Sequence, residues 1–269
     1  MKMMNNKIDF AVVFTVKNAN PNGDPLGGNR PRTTSDGFGE VSDVCLKRKL
    51  RNRLQDFGEK IFVQMDERCD DGKKSLSDRF NEFIKGKQKS DISAEVCKEW
   101  FDVRAFGQVF AFKKGDGVEQ VSIGIRGPVT IQSAFSLEPV LVESIQITKS
   151  VNSETTEDGK KSSDTMGAKH RVNKAVYVTY GSISPQLAER TGFSDADAEK
   201  IKEALISLFE GDESSARPSG SMVVEKVIWF KHNSKSGQYS SAKVHKSVKV
   251  DKNGNVTVEP LEGLVPEVI

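Results

Sequence analysis

The feature that most constrains this chain lies near its start. Ile8, Phe10, Val12, Phe14 and Val16 alternate with other residues, and a period of two reads as a strand with one face in the core. That strand runs into Asn18-Ala19-Asn20-Pro21-Asn22-Gly23-Asp24-Pro25, where proline, glycine and asparagine end regular structure and favour turns. A glycine-containing loop continues to Gly39. Ser42 then caps a helix that runs to Phe57 and stops at Gly58, with Leu46, Leu50, Leu54 and Phe57 as its apolar stripe. The fold must therefore begin with a strand, a long loop and a helix.

Further along, residues 61–65 read as a short strand. Residues 68–90 read as a polar, lysine-rich, mobile insertion with a helix near 76–84, and 93–101 as a second short helix. Asp102-Val103-Arg104-Ala105-Phe106-Gly107 reads as a compact loop. Val121, Ile123 and Ile125 alternate, and Arg126-Gly127-Pro128 interrupts them before Val129 and Ile131. Ile145 and Ile147 mark another strand, and 172–180 and 222–230 two more. Between them, 152–164 is almost wholly polar and reads as a flexible excursion. Ser194 caps a helix over 195–210, buried through Ala198, Ile201, Leu205 and Leu208 and ended by Gly211. Segments near 243–250 and 255–259 suit a hairpin around Asn253-Gly254. Without insertions the order is strand, helix, strand, strand, helix, strand. That is the ferredoxin-like order of RNA-recognition domains, shared with many enzymes. The expected class is α+β, one domain over residues 1–269 with an inserted helical segment at about 66–101.

A chain of 269 residues can bury a core without disulfides or a structural metal. Cys45, Cys69 and Cys97 are odd in number and widely spaced, which fits neither a zinc knuckle nor a disulfide framework. No apolar run reaches the roughly 18 residues of a membrane helix, and no apolar signal segment follows Met1; a cytoplasmic location and no membrane partner are expected. Charge is uneven. Residues 41–57 hold five basic side chains against two acidic, 226–252 hold seven lysines against Asp251, and 195–213 hold seven acidic residues against Lys200 and Lys202. Such a chain can turn one face to a polyanion, or simply solvate its surface.

The loop over 18–32 can form a nest of backbone N–H groups for an anion. Arg30 and Arg32 stand at its far end, and Lys47 and Arg51 follow one helical turn apart, flanking the apolar stripe, with Arg48 pointing outward. Together they suit a track for phosphates; the alternative is a turn followed by a solvated helix. Replacing Lys47 and Arg51 leaves folding intact on this reading. No Walker loop, dinucleotide fingerprint or Ser-His-Asp set is present, and no cofactor or metal is expected. Asp24, Asp43 and Asp102 suit turn caps better than metal ligands. Phe106, Tyr177 and Tyr180 can stack on bases or pack in the core.

Asn20-Pro21-Asn22-Gly23-Asp24-Pro25, Asn29-Arg30-Pro31-Arg32 and Asp43-Val44-Cys45-Leu46-Lys47-Arg48-Lys49 together resemble the Cascade backbone subunit of subtype I-C CRISPR systems, a Cas-seven-type protein of the Csd-two family. Asp102-Val103-Arg104 with Phe106-Gly107, Arg126-Gly127-Pro128-Val129 and Thr165-Met166-Gly167-Ala168-Lys169-His170-Arg171-Val172 are similar to its later motifs, followed by Thr191-Gly192-Phe193-Ser194 and Ser214-Ser215-Ala216-Arg217. The resemblance spans about residues 8–250 in order.

It implies a modified RNA-recognition fold with a thumb hairpin, here about 144–172. Copies of the chain would line a CRISPR RNA by its backbone, beside other Cascade subunits, target DNA and a recruited helicase-nuclease, without catalysis by this subunit. The RNA-binding set it implies, with the readings above, is Asn20, Asn22, Gly23, Arg30, Arg32, Lys47, Arg48, Arg51, Arg104, Phe106, Met166, Lys169, His170 and Arg171. Met166 would wedge between bases while Lys169, His170 and Arg171 hold phosphates. Two rivals stand beside it. One is a type III-like subunit that cleaves bound target RNA with a metal near Asp24; the other is a ferredoxin-like metabolic enzyme.

Overall fold

The structure is a computed structural model and describes residues 3–87, 92–111, 122–148 and 166–269. The expected polar excursion over 152–164 lies outside the described residues, as do Val121 and Thr165. In chain order the elements are β1 (Ile8–Ala19), β2 (Gly23–Asp24), β3 (Arg30–Pro31), β4 (Phe38–Val41), α1 (Asp43–Asp56), α2 (Leu76–Ile84), α3 (Ile92–Glu99), α4 (Phe101–Phe106), β5 (Gly107–Ala111), β6 (Ser122–Arg126), β7 (Val129–Ile131), β8 (Ala134–Pro139) and β9 (Val142–Thr148). Then come β10 (Met166–Ile183), α5 (Pro185–Thr191), α6 (Asp195–Ile206), β11 (Met222–Lys231), α7 (Ser241–Ser247), β12 (Val248–Val250), β13 (Val256–Val258) and β14 (Glu267–Val268).

The main sheet runs β14-β11-β1-β10-β8-β4 and is antiparallel throughout. Its inner four strands stand fourth, first, third, second in chain order, with α1 between the first two and α6 between the last two. That is the ferredoxin-like arrangement read from the sequence. Ser42 caps α1 by accepting from the Cys45 N–H, and Ser194 closes a capping box with Asp197 on α6, so both helices start where the sequence signals them. The main core lies under these helices. It joins Phe10, Val12, Phe14 and Val16 of β1 to Leu46, Leu50 and Leu54 of α1 and Ala198, Ile201 and Leu205 of α6. Full burial of each large apolar side chain there contributes about 1.5–3 kcal/mol.

The expectation of one buried face on β1 is corrected. Ala11 and Val13 on the other face are also fully buried, packed with Val176, Val178, Ile228 and Phe230 under Val244, Val248 and Leu264. The covering layer is α7, the β12–β13 hairpin and the C-terminal segment. Residues 243–247, expected in a strand, are helical, and only 248–250 pair with 256–258 around Asn253-Gly254. At the base of this layer Asp9 is fully buried. It meets Lys7 Nζ at 3.0 Å and His232 Nε2 at 2.9 Å. His232 Nδ1 accepts from the Gln238 N–H, which puts the ring proton on Nε2, aimed at the carboxylate.

A second core forms beside the first from Phe62, Phe80, Ile84, Val96, Trp100, Val103 and Phe110. The supposed mobile insertion is therefore folded over its described part. α2 buries Phe80, and the buried Arg79 guanidinium holds Asp71 and the Phe62 carbonyl (2.7 Å). Two further expectations change. Residues 61–65 form no strand, because the Phe62 and Val63 amides are taken by Asp102. The segment 102–107 is no loop: α4 spans Phe101–Phe106 and turns out through Gly107 at φ +80°.

Candidate nucleic-acid interface

The asparagine-rich segment after β1 folds into a small finger. Asn20 is buried, donates from its side chain to the Asn29 carbonyl (2.7 Å) and from its backbone to Ala216. Asn22 Oδ1 accepts from both the Ser42 amide (3.0 Å) and hydroxyl (2.9 Å), so the finger seats the N-cap of α1. Gly23 pairs with Pro31 where a Cβ would lie 1.9 Å from Asn29 Oδ1. The amides of Gly27, Asn29, Arg30 and Arg32 donate to carbonyls within the finger, and the Leu26 amide donates to Asp24 Oδ1. The expected anion nest is thus largely occupied by the finger's own acceptors. Asp24, which also lies 3.6 Å from Arg32, acts as a turn cap.

The finger leans on the arm made by β9 and the first half of β10. Arg30 Nη1 donates to Ser144 Oγ at 3.0 Å, and His170 Nδ1 lies 3.0 Å from the same oxygen. A hydroxyl that accepts from Arg30 can donate its own proton to His170 Nδ1. Cross-strand register sorts the arm by face. Met166, Ala168 and His170 lie opposite Thr148, Gln146 and Ser144; Lys169 and Arg171 lie opposite Ile145 and Glu143, on the other side. Met166 is 62% exposed. Met166, His170 and Arg30 thus share one side of the arm, and Lys169 and Arg171 take the other. Arg171 is held by Glu143 at 2.9 Å, and Lys169 has no side-chain partner among the described residues.

The expected basic track on α1 is also reordered. Lys47 pairs with Asp43 one turn earlier (3.0 Å). Arg48 does not point outward: it donates to the Val63 carbonyl at 2.6 Å, and burial, then the charge of Arg51, pulls its pKa down. Lys49 is buried against Asp212 beneath the Phe209 ring. Arg51 Nε meets the buried Asp102 carboxylate at 2.9 Å and lies over the Phe106 ring at 5.2 Å. Arg53 reaches Asp56 and Glu210. Arg104 holds Asp197 at 2.9 Å. Of the basic run, Lys49 and Arg53 thus face Asp212 and Glu210 of the acidic segment, and Arg51 faces Asp102. Phe57 leaves the apolar stripe and is 39% exposed under Arg53. Neither tyrosine is open to bases. Tyr177 is buried on Phe14, with burial pushing its phenol up, and Tyr180 stacks on His245.

Between finger, α1 and the turn at 211–217 lies a cleft of about 280 Å³, lined in part by Asn22, Gly23, Arg48, Lys49, Arg68 and Arg217. Arg217 there pairs with Asp212 at 2.7 Å. The Cys45 thiol, on the same wall, is raised by burial against the opposing pull of Lys49. Sequence reasoning missed Ser144 and Arg68, which have no motif around them; Arg217 sat within the quoted Ser214–Arg217 segment without being singled out. Among the described residues, no helix is long and apolar enough to cross a membrane, and no group of three His, Cys, Asp or Glu is arranged to hold a metal ion.

Three comparisons bear on this geometry. A family model described as CRISPR-associated protein Cas7 matches residues 6–263. A CRISPR-associated protein Cas7 of Haloferax volcanii is 24% identical, covering 98% of this chain and 81% of that protein. A chain of a solved CRISPR RNA-guided surveillance complex, pre-nicking, is similar in fold, with a TM-score of 0.53 at 17% identity over 83% of this chain and 75% of that one.

Proposed function

Since the chain belongs to the Cas7 family of CRISPR-associated proteins, we propose that it is a non-catalytic, repeating subunit that holds a CRISPR RNA by its backbone in a subtype I-C surveillance complex. Its partners would be the guide, further copies of itself, other Cascade subunits, target DNA and a recruited helicase-nuclease, in the cytoplasm. The whole chain would act as one RNA-recognition-like domain, with 66–101 as an insertion and 144–172 as the thumb. The observation that carries the reading is the meeting of Arg30 and His170 on Ser144. It draws two cationic segments, distant in sequence, onto one shelf with the exposed Met166 at its end.

On this reading Arg30, Arg32, Lys47, Lys169, His170 and Arg171 contact phosphates, and Met166 separates bases. Asn20, Asn22, Gly23, Arg48, Arg51, Arg104 and Phe106 hold the shelf in place. A subunit that serves any guide must bind without reading bases, and phosphate contacts do so. The test is purification of the chain expressed with a CRISPR array and its companion subunits. RNA of discrete length should co-purify, and guides of unrelated sequence should bind within a few-fold of one another. Protein free of RNA would refute the reading. Cleavage of a matching RNA at regular intervals in magnesium would refute its non-catalytic part.

A further inference from the structure

The sheet carries a second cationic feature, away from the finger. Lys17 of β1 and Lys174 of β10 stand directly opposite each other in the antiparallel register, so both side chains leave from one face. Like charges in that position repel. Neither ammonium has a hydrogen-bond or ion-pair partner among the described residues. Val172 packs in the main core and Val176 in the layer behind the sheet, so Lys174 lies past the point where β10 changes sides, opposite the kink at Asn18 (φ +55°). There the β12–β13 turn brings Lys252 and Asn253 over the strand. Lys174, Lys252, Asn253, Leu137, Val176 and Glu138 line much of a recess of about 220 Å³. Among the described residues Glu138 is its one lining carboxylate, and it forms no ion pair with either lysine.

Three observations point to the occupant. First, the charge is uncompensated, whereas the cations of α1 are matched to acceptors within the fold. Second, the cations are lysines, point charges on mobile stems that suit phosphate oxygens in no fixed orientation better than a paired carboxylate. Third, Phe135 lies on the same face of β8 as Leu137, two residues away, and is 44% exposed. Phe135 pairs with Val178, four residues along β10 from Lys174, so the open ring lies further along the same face as the unpaired lysines. Charge to hold a backbone and a ring to stack a base are how single strands are held.

We propose that this recess is a second nucleic-acid contact, which takes the phosphates of a single strand with Phe135 under a base. The charge argument stands apart from the Cas7 reading, which bears only on whether the strand is the guide or another. The test uses the full chain as purified with its guide and companion subunits, and a labelled oligothymidylate that cannot pair with that guide. In Lys17→Ala/Lys174→Ala/Lys252→Ala the slope of log affinity against log salt should fall by about 2, at roughly 0.7 per lost phosphate contact. Phe135→Leu should weaken binding about ten-fold at fixed salt. All four side chains are exposed, so melting temperatures should hold, and loss of the Lys17–Lys174 repulsion should not lower them.

Guide retention at high salt separates the sources. Full retention with a flattened oligothymidylate slope assigns the recess to a second strand; loss of guide from the triple variant assigns it to the guide. A folded triple variant with unchanged slope and unchanged retention overturns the proposal. So does loss of self-association alone, which would place an acidic protein surface in the recess. If the wild type carries no guide yet binds oligothymidylate with these slopes, the proposed function fails and this contact remains.

Discussion

Replacing Arg51 by Ala separates two uses of a cation on α1. Asp102 is 1% exposed and Arg51 13%. Breaking a buried pair by removing one member costs about 3–5 kcal/mol, because the remaining charge is stranded. Here Asp102 keeps two donors, the Phe62 amide at 2.7 Å and the Val63 amide at 3.1 Å. That places Arg51→Ala near the low end, about 3 kcal/mol. For a chain of this size the melting temperature should fall by about 6–12 °C. Lys47→Ala removes a partly exposed i,i+4 pair and should change stability by less than about 0.5 kcal/mol. Urea unfolding followed by circular dichroism and scanning calorimetry would compare them. The reasoning from sequence, that both side chains can be lost without harm to folding, is replaced by a split. If Arg51→Ala unfolds with the wild type and its RNA salt slope drops instead, Arg51 is a phosphate ligand and the pairing with Asp102 is incidental.

Arg30→Ala with Lys169→Ala should leave melting unchanged and reduce the RNA salt slope by about 1.4, measured by filter binding across a salt series. Gly181→Ala should lower the melting temperature clearly, by about 1–3 kcal/mol of stability. Its Cβ would sit 2.2 Å from Phe10 Cζ and 2.5 Å from the Thr130 carbonyl, and Phe10 is fully buried against Trp229. Burial pushes the Cys97 thiol up to about 11 from 9.0, so alkylation at pH 8 followed by mass spectrometry should leave it unmodified in the native chain. The folded state keeps that proton longer than the unfolded one. Its share of stability therefore falls as pH rises from about 9 to about 11.

Local signals were legible because they act over a few residues. Ser42 and Ser194 cap where serine precedes an apolar stripe, and α2 falls on its expected residues. The strand order followed from the same signals. What failed depended on distant partners. Nothing near Arg51 announces Asp102, and nothing near Lys49 announces Asp212, so a run of cations read as a surface. The buried second face of β1 was hidden because Ala11 and Val13 interleave with Asp9 and Thr15, which look solvent-facing. In the structure Asp9 is paired with Lys7 and His232 instead. α4 escaped notice because six residues are too few to show helical periodicity.

β10 is eighteen residues long, and none of them has positive φ. Its first seven residues pair with β9 in the arm, while its later part lies between β1 and β8 in the sheet. At about 3.3 Å per residue the chain in it would reach nearly 60 Å if fully straight, and it changes sides once, between Val172 and Val176. The arm is in this sense a cantilever, anchored in the stiffest part of the molecule. A load applied at Met166 is carried by backbone into the row of hydrogen bonds around Val176 and Val178, with no loop to absorb it. The place where the arm can change its aim without re-registering the sheet is that change of sides, opposite Asn18. The exposed tip should exchange its amide protons by local opening while the buried anchor around Val176 and Val178 stays protected, and the reach of the arm is set by one unbroken strand.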